Sequence, residues 1–518
     1  MKALPIGIQS FANLSERDYL YVDKTRDIHR LVTTGDVYFL SRPRRFGKSL
    51  LISTLEAIFK GRKELFEGLY IYDRWDWSQQ HPVVRLDWSI IKHATAGELE
   101  RGLLGFINKI AHNHQLTLTM EYATERFDEL LEGLHHQTGK KVVVLVDEYD
   151  MPILEKLESP DEIDAIRNYL QSFYKALKAS GEHLRFVFLT GVSKFAGVSL
   201  FSGLNNLRDI TLSDEFSVIC GYTQQELEHY FLEHIRHLAG KYAMTNEALL
   251  EEIRTWYNGY SWDGCTPVYN PFSTLLLFTE KEFVNYWFRT GTPTFLIEIL
   301  KKRNQLKLIL EPVTVGTNIF DSFDPIYIDG LPLLFQTGYL TIKNKTFVSG
   351  RPQYTLGIPN SEVNESLLVY LLNAYSAYPV SQTEGLKARM QQQIRDNDAS
   401  GLEQSLREML AYIPYPLHVK NEAYYHSLLL LWIKMIGFDI QGEIMTNTGR
   451  IDAVWHQPGL TVVAEIKYHA QKSIDGLFTD AMQQIHDRRY YERYLDRTVV
   501  LLGRGLYRRG GWMPDEQG

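Results

Sequence analysis

Three separated stretches of this sequence carry the residue types that chemistry on phosphate requires. Gly47-Lys48-Ser49 opens a helical run just after the apolar segment VYFL, Val37–Leu40. A helix N-terminus offers free backbone N–H groups to oxyanions, a lysine meets the β- and γ-phosphate charge, and a hydroxyl suits Mg²⁺. The general form of such a loop begins with glycine at the place where this chain has Arg42. Much further on, KVVVLVDEYD (Lys141–Asp150) reads as a buried strand ending in Asp147-Glu148. There one carboxylate can hold the ion and its neighbour can polarise water. RFVFLT (Arg185–Thr190) supplies a further strand whose last residue, Thr190, is placed to sense a γ-phosphate. Each feature also has a plain use. Gly47 can simply start a helix, Asp147-Glu148 can cap one, and Thr190 can bond the backbone. Arg42, Arg44 and Arg45 can supply phosphate charge or pair with acids.

The third stretch lies near the C-terminus. Arg450–Trp455 turns through His456-Gln457-Pro458-Gly459 into Val462–Lys467. With those residues as the loop, Trp455 faces Leu460 and Asp452 faces Val463. Strand side chains alternate, so Val463, Glu465 and Lys467 share one face, with Asp452 diagonally across from Glu465. Two converging carboxylates bind a hard dication, Mg²⁺ or in its place Mn²⁺. Lys467 then stands where it can orient or deprotonate a metal-bound water for attack on phosphorus. The alternative is a solvated, salt-bridged strand face. Against it, Glu465 and Lys467 sit inside VVAEIKY, an otherwise core-like run where unpaired charge is costly.

The elements that must carry these residues follow from the hydrophobic pattern. VYFL, PVVRLDW (Pro82–Trp88), KVVVLVD and RFVFLT are continuous apolar runs separated by helical stretches. That pattern predicts an α/β fold, a parallel sheet with helices on both faces, over residues 1–214. Residues 215–380 read as mostly helical. Within them LPLLFQTGYLTIK (Leu331–Lys343) and the following turn and strand give a winged-helix-like signal. A polar helical connector is expected over 381–413. The last domain, 414–518, reads helix (Glu422–Ile436), strand, turn, strand and helix (Ile474–Leu495).

Composition narrows the classes. The chain has 518 residues with 44 % hydrophobic and 23 % charged, which excludes disordered and collagen-like proteins. Two cysteines exclude a disulfide scaffold and a cysteine-rich zinc module. No apolar run is long enough to span a bilayer, and the N-terminus lacks a secretory h-region, so a cytoplasmic protein without membrane contact is expected. The net charge of −8 means that a nucleic-acid partner must meet a local basic patch. Arginines and tyrosines interleaved from Arg488 to Arg509 are a candidate, as is an ordinary charged helix surface.

YLYVDKT (Tyr19–Thr25), SRPRRFGKS (Ser41–Ser49), VVLVDEYD, FLTGVSKF, SGLNNLRDIT, WYNGY (Trp256–Tyr260) and VYNPFS (Val268–Ser273) together resemble the AAA-ATPase-like family. Its members commonly carry a C-terminal domain of the PD-(D/E)XK nuclease superfamily, and Asp452, Glu465 and Lys467 resemble that core. The resemblance runs nearly end to end. It implies ATP and Mg²⁺ as cofactors, with Arg45, Phe46, Gly47, Lys48, Ser49, Asp147 and Thr190 around the nucleotide and Glu148 catalytic. The family's loop also reads RPRRFGKS, so Arg42 departs from the general pattern and not from the family's. Glu422 matches the superfamily's early acidic residue, and Gln484 the glutamine of its following helix; Ile451 stands where many members have proline. Tyr21–Lys24 resembles an adenine-side segment, or is a capped helix start at Asp23.

The expected function is an ATP-hydrolysing protein whose Mg²⁺-dependent nuclease-like domain cleaves DNA, favoured over RNA, under ATP control. A regulatory nucleotide switch that binds nucleic acid or protein without cutting is the alternative. A small-molecule kinase is disfavoured by the second site. Oligomeric assembly is left open, and Arg208 is one candidate for an arginine finger.

Overall fold

The computed structural model describes the chain except residues 157–158, 195–205, 289–293, 303–306, 322–329, 377, 397, 399, 402–403, 406–407, 410–421, 446–449, 458–459, 470–473, 495–497 and 508–518. The chain divides into two compact units, Met1–Thr292 with Val313–Val363, and Pro293–Pro312 with Asn364–Gly518.

The first unit is built on a parallel sheet of β1 (Val37–Ser41), β2 (Val83–Asp87), β3 (Val142–Asp147), β4 (Leu184–Gly191) and β5 (Arg208–Asp209). Its order is β2-β3-β4-β1-β5. Every residue of β3 is buried, as a strand covered on both faces requires. The four strands expected from the apolar runs are present; β5 is too short to announce itself. Because β4 lies between β1 and β3, the phosphate loop and the acidic pair leave the sheet one strand apart. Both leave at its carboxyl edge, where open parallel sheets hold ligands.

The helix Thr25–Thr34 leads directly into β1. Asp23 accepts from the Thr25 and Tyr70 backbone N–H groups at 2.7 and 2.8 Å, and Lys24 pairs with Glu226 at 2.7 Å. The helix begins after Lys24 at the N-cap position, and the Asp23 side chain closes the turn from one residue outside it. Further along, the helix Gly330–Thr337 precedes a hairpin of β7 (Thr341–Val348) and β8 (Arg351–Gly357). A third strand, β6 (Val313–Gly316), flanks β8, giving the order β6-β8-β7. Helix plus hairpin is the arrangement read from the sequence.

In the second unit the helix Glu422–Ile436 is followed by β9 (Asp439–Met445), β10 (Arg450–Gln457), β11 (Leu460–His469), the helix Ile474–Asp487 and β12 (Thr498–Tyr507). Strands β9, β10 and β11 are antiparallel neighbours, and β12 joins β11 in parallel after the helical crossover. Sequence pattern misses two of these strands. DIQGEIM is polar with a central glycine, and TVVLLGRGLY lies in the arginine-rich tail. The last helix is shorter than expected, because Arg489 adopts φ 53° and ends it. Among the described residues, no helix is long and apolar enough to cross a membrane.

Candidate functional site

The loop from Arg42 to Gly47 takes its shape from two left-handed residues, Arg45 (φ 70°) and Gly47 (φ 92°). Among the described residues, and apart from its own chain neighbours and helix backbone, no atom lies within 4 Å of a Cβ built on Gly47. The constraint there is the backbone angle, which only glycine adopts without cost. Phe46 between them is buried and packs edge-on against Tyr260 and Trp262, ring centroids 4.8 and 5.3 Å away. Arg45 lies 3.7 Å over the Phe272 ring, and one of its guanidinium nitrogens is buried without a hydrogen-bond partner among the described residues. The WYNGY and VYNPFS motifs thus supply the aromatic bed of the loop.

Arg42 does not face solvent. It is fully buried under Trp262, with donors to the Ser41, Thr211 and Phe216 carbonyls at 2.8, 2.9 and 3.3 Å. Burial pulls its pKa down to about 10. A side chain here pins the segment after β5 to the loop, which a glycine could not do.

Lys48 opens the helix Lys48–Phe59 and is buried. Its ammonium donates to the Arg42 and Pro43 carbonyls at 3.1 and 3.2 Å and lies 3.8 Å from the Glu148 carboxylate. The Ser49 hydroxyl lies near enough to the Asp147 carboxyl to pull its pKa down, so the two expected metal-facing oxygens sit on the same side of the site. Glu148 follows in a left-handed conformation (φ 49°), a strained placement typical of functional sites.

Negative charge is in excess around Lys48. Burial, then Glu148 and Asp87, push the Asp147 carboxyl up to about 6 against the opposing pull of Ser49 and Lys48. Asp150, fully buried, is pushed up to about 7, mainly by burial and then by Glu148. Hard oxygen donors crowded beyond their compensating charge are the chemistry that a divalent cation relieves. Ser49 and Asp147 therefore fit Mg²⁺. Asp150 and Asp87 were not singled out in the sequence, although Asp150 stands within VVLVDEYD. Asp150 accepts from the Val192 and Ser193 N–H groups at 3.0 and 2.6 Å and so fixes the exit of β4.

Thr190 is fully buried, and its hydroxyl donates to the Leu40 carbonyl at 2.8 Å, tying β4 to β1. That is the backbone-bonding use. Arg208 lies on β5 and pairs with Glu215 at 2.9 Å.

In the second unit the ladder pairs Ala453 with Ala464, Trp455 with Val462 and Gln457 with Leu460. Strand pairing extends two residues further into the turn than the sequence suggested, since His456 and Gln457 gain partners instead of forming loop. The shift of register is even, so each side chain keeps its face. Carried on by one residue, the same register sets Asp452 opposite Glu465 instead of diagonally from it. Both carboxylates are buried. Gln484, on the helix Ile474–Asp487, donates to Glu465 Oε1. Lys467 is two residues on in β11, and Glu422 opens the helix Glu422–Ile436; the side chains of both lie outside the described residues. No group of three or more His, Cys, Asp or Glu gathers as a metal site among the described residues. Two facing carboxylates still provide hard oxygens of the kind that suit Mg²⁺. Tyr490, in the arginine-rich tail, belongs to the core with Ile451, Val454, Val463 and Ile485.

Residues 5–201 match the family described as Predicted AAA-ATPase, and residues 420–506 match the PD-(D/E)XK nuclease superfamily. An uncharacterized protein in the vnfD 5' region of Azotobacter chroococcum mcd 1 is 40% identical over 512 residues, covering 97% of this chain and 96% of its own length.

Proposed function

Because the chain belongs to the AAA-ATPase-like family and ends in a PD-(D/E)XK nuclease superfamily domain, we propose that it hydrolyses ATP and cleaves DNA phosphodiester bonds in a metal-dependent reaction under ATP control. The observation that carries the reading is the convergence of Lys48, Ser49, Asp147 and Glu148 at one sheet edge. Residues of the loop bind phosphate oxygens through backbone N–H groups, and Lys48 exchanges its loop carbonyls for phosphate charge. Ser49 and Asp147 hold Mg²⁺, which when bound supplies positive charge at the phosphate oxygens. Glu148, 3.8 Å from Lys48, orients and polarises the attacking water.

At the second site Asp452 and Glu465 are the proposed metal ligands, and Gln484 holds the Glu465 carboxylate in place. Lys467 orients the water that attacks phosphorus, and Glu422 adds a further acidic group. No covalent intermediate is needed. The deciding experiment incubates the purified chain with DNA and with RNA, with and without Mg²⁺ or Mn²⁺, and with and without ATP. Metal-dependent cleavage of DNA that responds to ATP is expected. Binding without cleavage under every metal condition would point to the nucleotide-switch alternative.

A further inference from the structure

Behind the phosphate loop lies a buried carboxylate that the chemistry above leaves unused. Glu362, in the first turn of the helix Ser361–Ser376, has no solvent exposure. Its Oε1 accepts from the Trp287 backbone N–H at 2.7 Å and from the Ser273 hydroxyl at 3.0 Å. Its Oε2 is buried with no hydrogen-bond partner among the described residues. A buried acid satisfied on one oxygen alone is costly to keep.

Both donors adjoin a contact with the loop. The Trp287 indole donates its Nε1–H to the Arg44 carbonyl at 3.3 Å. Phe272, the neighbour of Ser273, is the ring beneath the Arg45 guanidinium. Arg44 and Arg45 directly follow Pro43, whose carbonyl accepts from Lys48 at 3.2 Å. One carboxylate therefore ties together two otherwise separate segments, each of which grips the loop at an adjacent residue. Tyr260, against which Phe46 packs, also lies near the Trp287 ring, with centroids 6.5 Å apart.

We propose that Glu362 is a positioning residue of the nucleotide site, fixing the phosphate loop through Trp287 and through the Phe272-Ser273 pair. The inference rests on the ATP-binding reading of that loop. Glu362 touches neither phosphate nor metal. It holds the Arg44 and Arg45 backbone at the angle that presents the loop N–H groups and seats Lys48.

The test measures binding of a fluorescent ATP analogue with Mg²⁺ to the full-length chain, beside thermal melting. Trp287→Phe removes the Nε1–H and keeps an aromatic ring. It should weaken binding about five- to tenfold, the worth of one hydrogen bond, with little change in melting temperature. Glu362→Leu should weaken it at least as much, whereas Glu362→Gln, whose amide oxygen still accepts both bonds, should stay within about twofold. Should Glu362→Leu fail to fold, Trp287→Phe and the Gln rescue decide. Wild-type affinity in Trp287→Phe, with only melting lowered, would overturn the proposal and leave the ATP reading intact. Wild-type binding no tighter than that of Lys48→Ala would overturn both.

Discussion

The two candidate sites are made in different ways. At the N-terminal site the reactive groups come as two pairs far apart in sequence, Lys48-Ser49 and Asp147-Glu148, and their geometry is imposed from a distance. Left-handed residues at Arg45, Gly47 and Glu148 hold the turns, and Trp262, Tyr260, Phe272 and Trp287, far along the chain, brace the phosphate loop at Arg44, Arg45 and Phe46. At the C-terminal site geometry comes from strand register. Asp452 and Glu465 meet because the β10–β11 ladder is in phase, and one helix sends Gln484 back to them. A site built from register survives as long as its hairpin does; a site built from strained turns depends on its surroundings. The two should therefore fail separately and for different reasons.

The largest effect should come from the register-built site. Asp452→Ala or Glu465→Ala removes a metal ligand and should lower DNA cleavage on the order of 10³-fold, measured at saturating Mg²⁺. Lys467→Ala should lose cleavage comparably while a Mn²⁺ titration still reports binding. Metal affinity unchanged in Asp452→Ala would remove that residue from the site. At the strained site, Lys48→Ala should lower ATP hydrolysis on the order of 10²–10³-fold, read as steady-state phosphate release. Equal hydrolysis by the variant and wild type would break the assignment.

Next is the bracing itself. Phe46→Ala empties a buried aromatic position and should cost about 3 kcal/mol or more in urea unfolding, with nucleotide affinity falling as well. Unchanged affinity in the folded variant would show that the loop keeps its shape without the aromatic bed.

Stability against pH offers a smaller effect of known sign. Burial pushes the Glu362 carboxyl up to about 7. Below the unfolded value, about pH 4.5, both states hold the proton and the group costs nothing. As pH rises toward 7 the unfolded state releases its proton and the folded state does not, so stability falls, by at most about 3 kcal/mol. Asp147 and Asp150 carry the same sign. Glu362→Gln should therefore flatten only part of the decline in urea midpoint between about pH 5 and 7. An identical slope in variant and wild type would contradict the burial argument. Smallest of all is Arg208→Ala. With its exposed pairing to Glu215, loss should cost less than about 1 kcal/mol and leave ATP hydrolysis within about twofold. A large fall in hydrolysis would restore it as an arginine finger.

What the sequence disclosed follows the same division. Apolar runs gave away four strands of the first sheet, most clearly β3, whose every residue is buried, whereas the edge strand β2 is buried at alternate positions. The carboxylate pair was legible from period-two alternation, even though the ladder is two residues tighter than the His456–Gly459 turn implied. An even shift preserves faces, so Asp452 and Glu465 still share one face. Arg42 was ambiguous because its fate depends on the Thr211 and Phe216 carbonyls, which no local pattern places beside it. Thr190 shows the same limit: a strand-end hydroxyl and a backbone bond to Leu40 look alike in one dimension. Glu362 left no signal at all, since its partners, Ser273 and Trp287, come from two separate segments. β9 and β12 were hidden by polar and arginine-rich composition.

Whether two chemically separate sites share this chain is decided by measuring ATP hydrolysis and Mg²⁺-dependent DNA cleavage side by side in wild type, Lys48→Ala and Glu465→Ala. Glu465→Ala should lose cleavage and hydrolyse ATP within about twofold of wild type, whereas Lys48→Ala should lose hydrolysis and the response of cleavage to ATP. Cleavage that persists in Glu465→Ala, or hydrolysis that vanishes along with it, would contradict the claim.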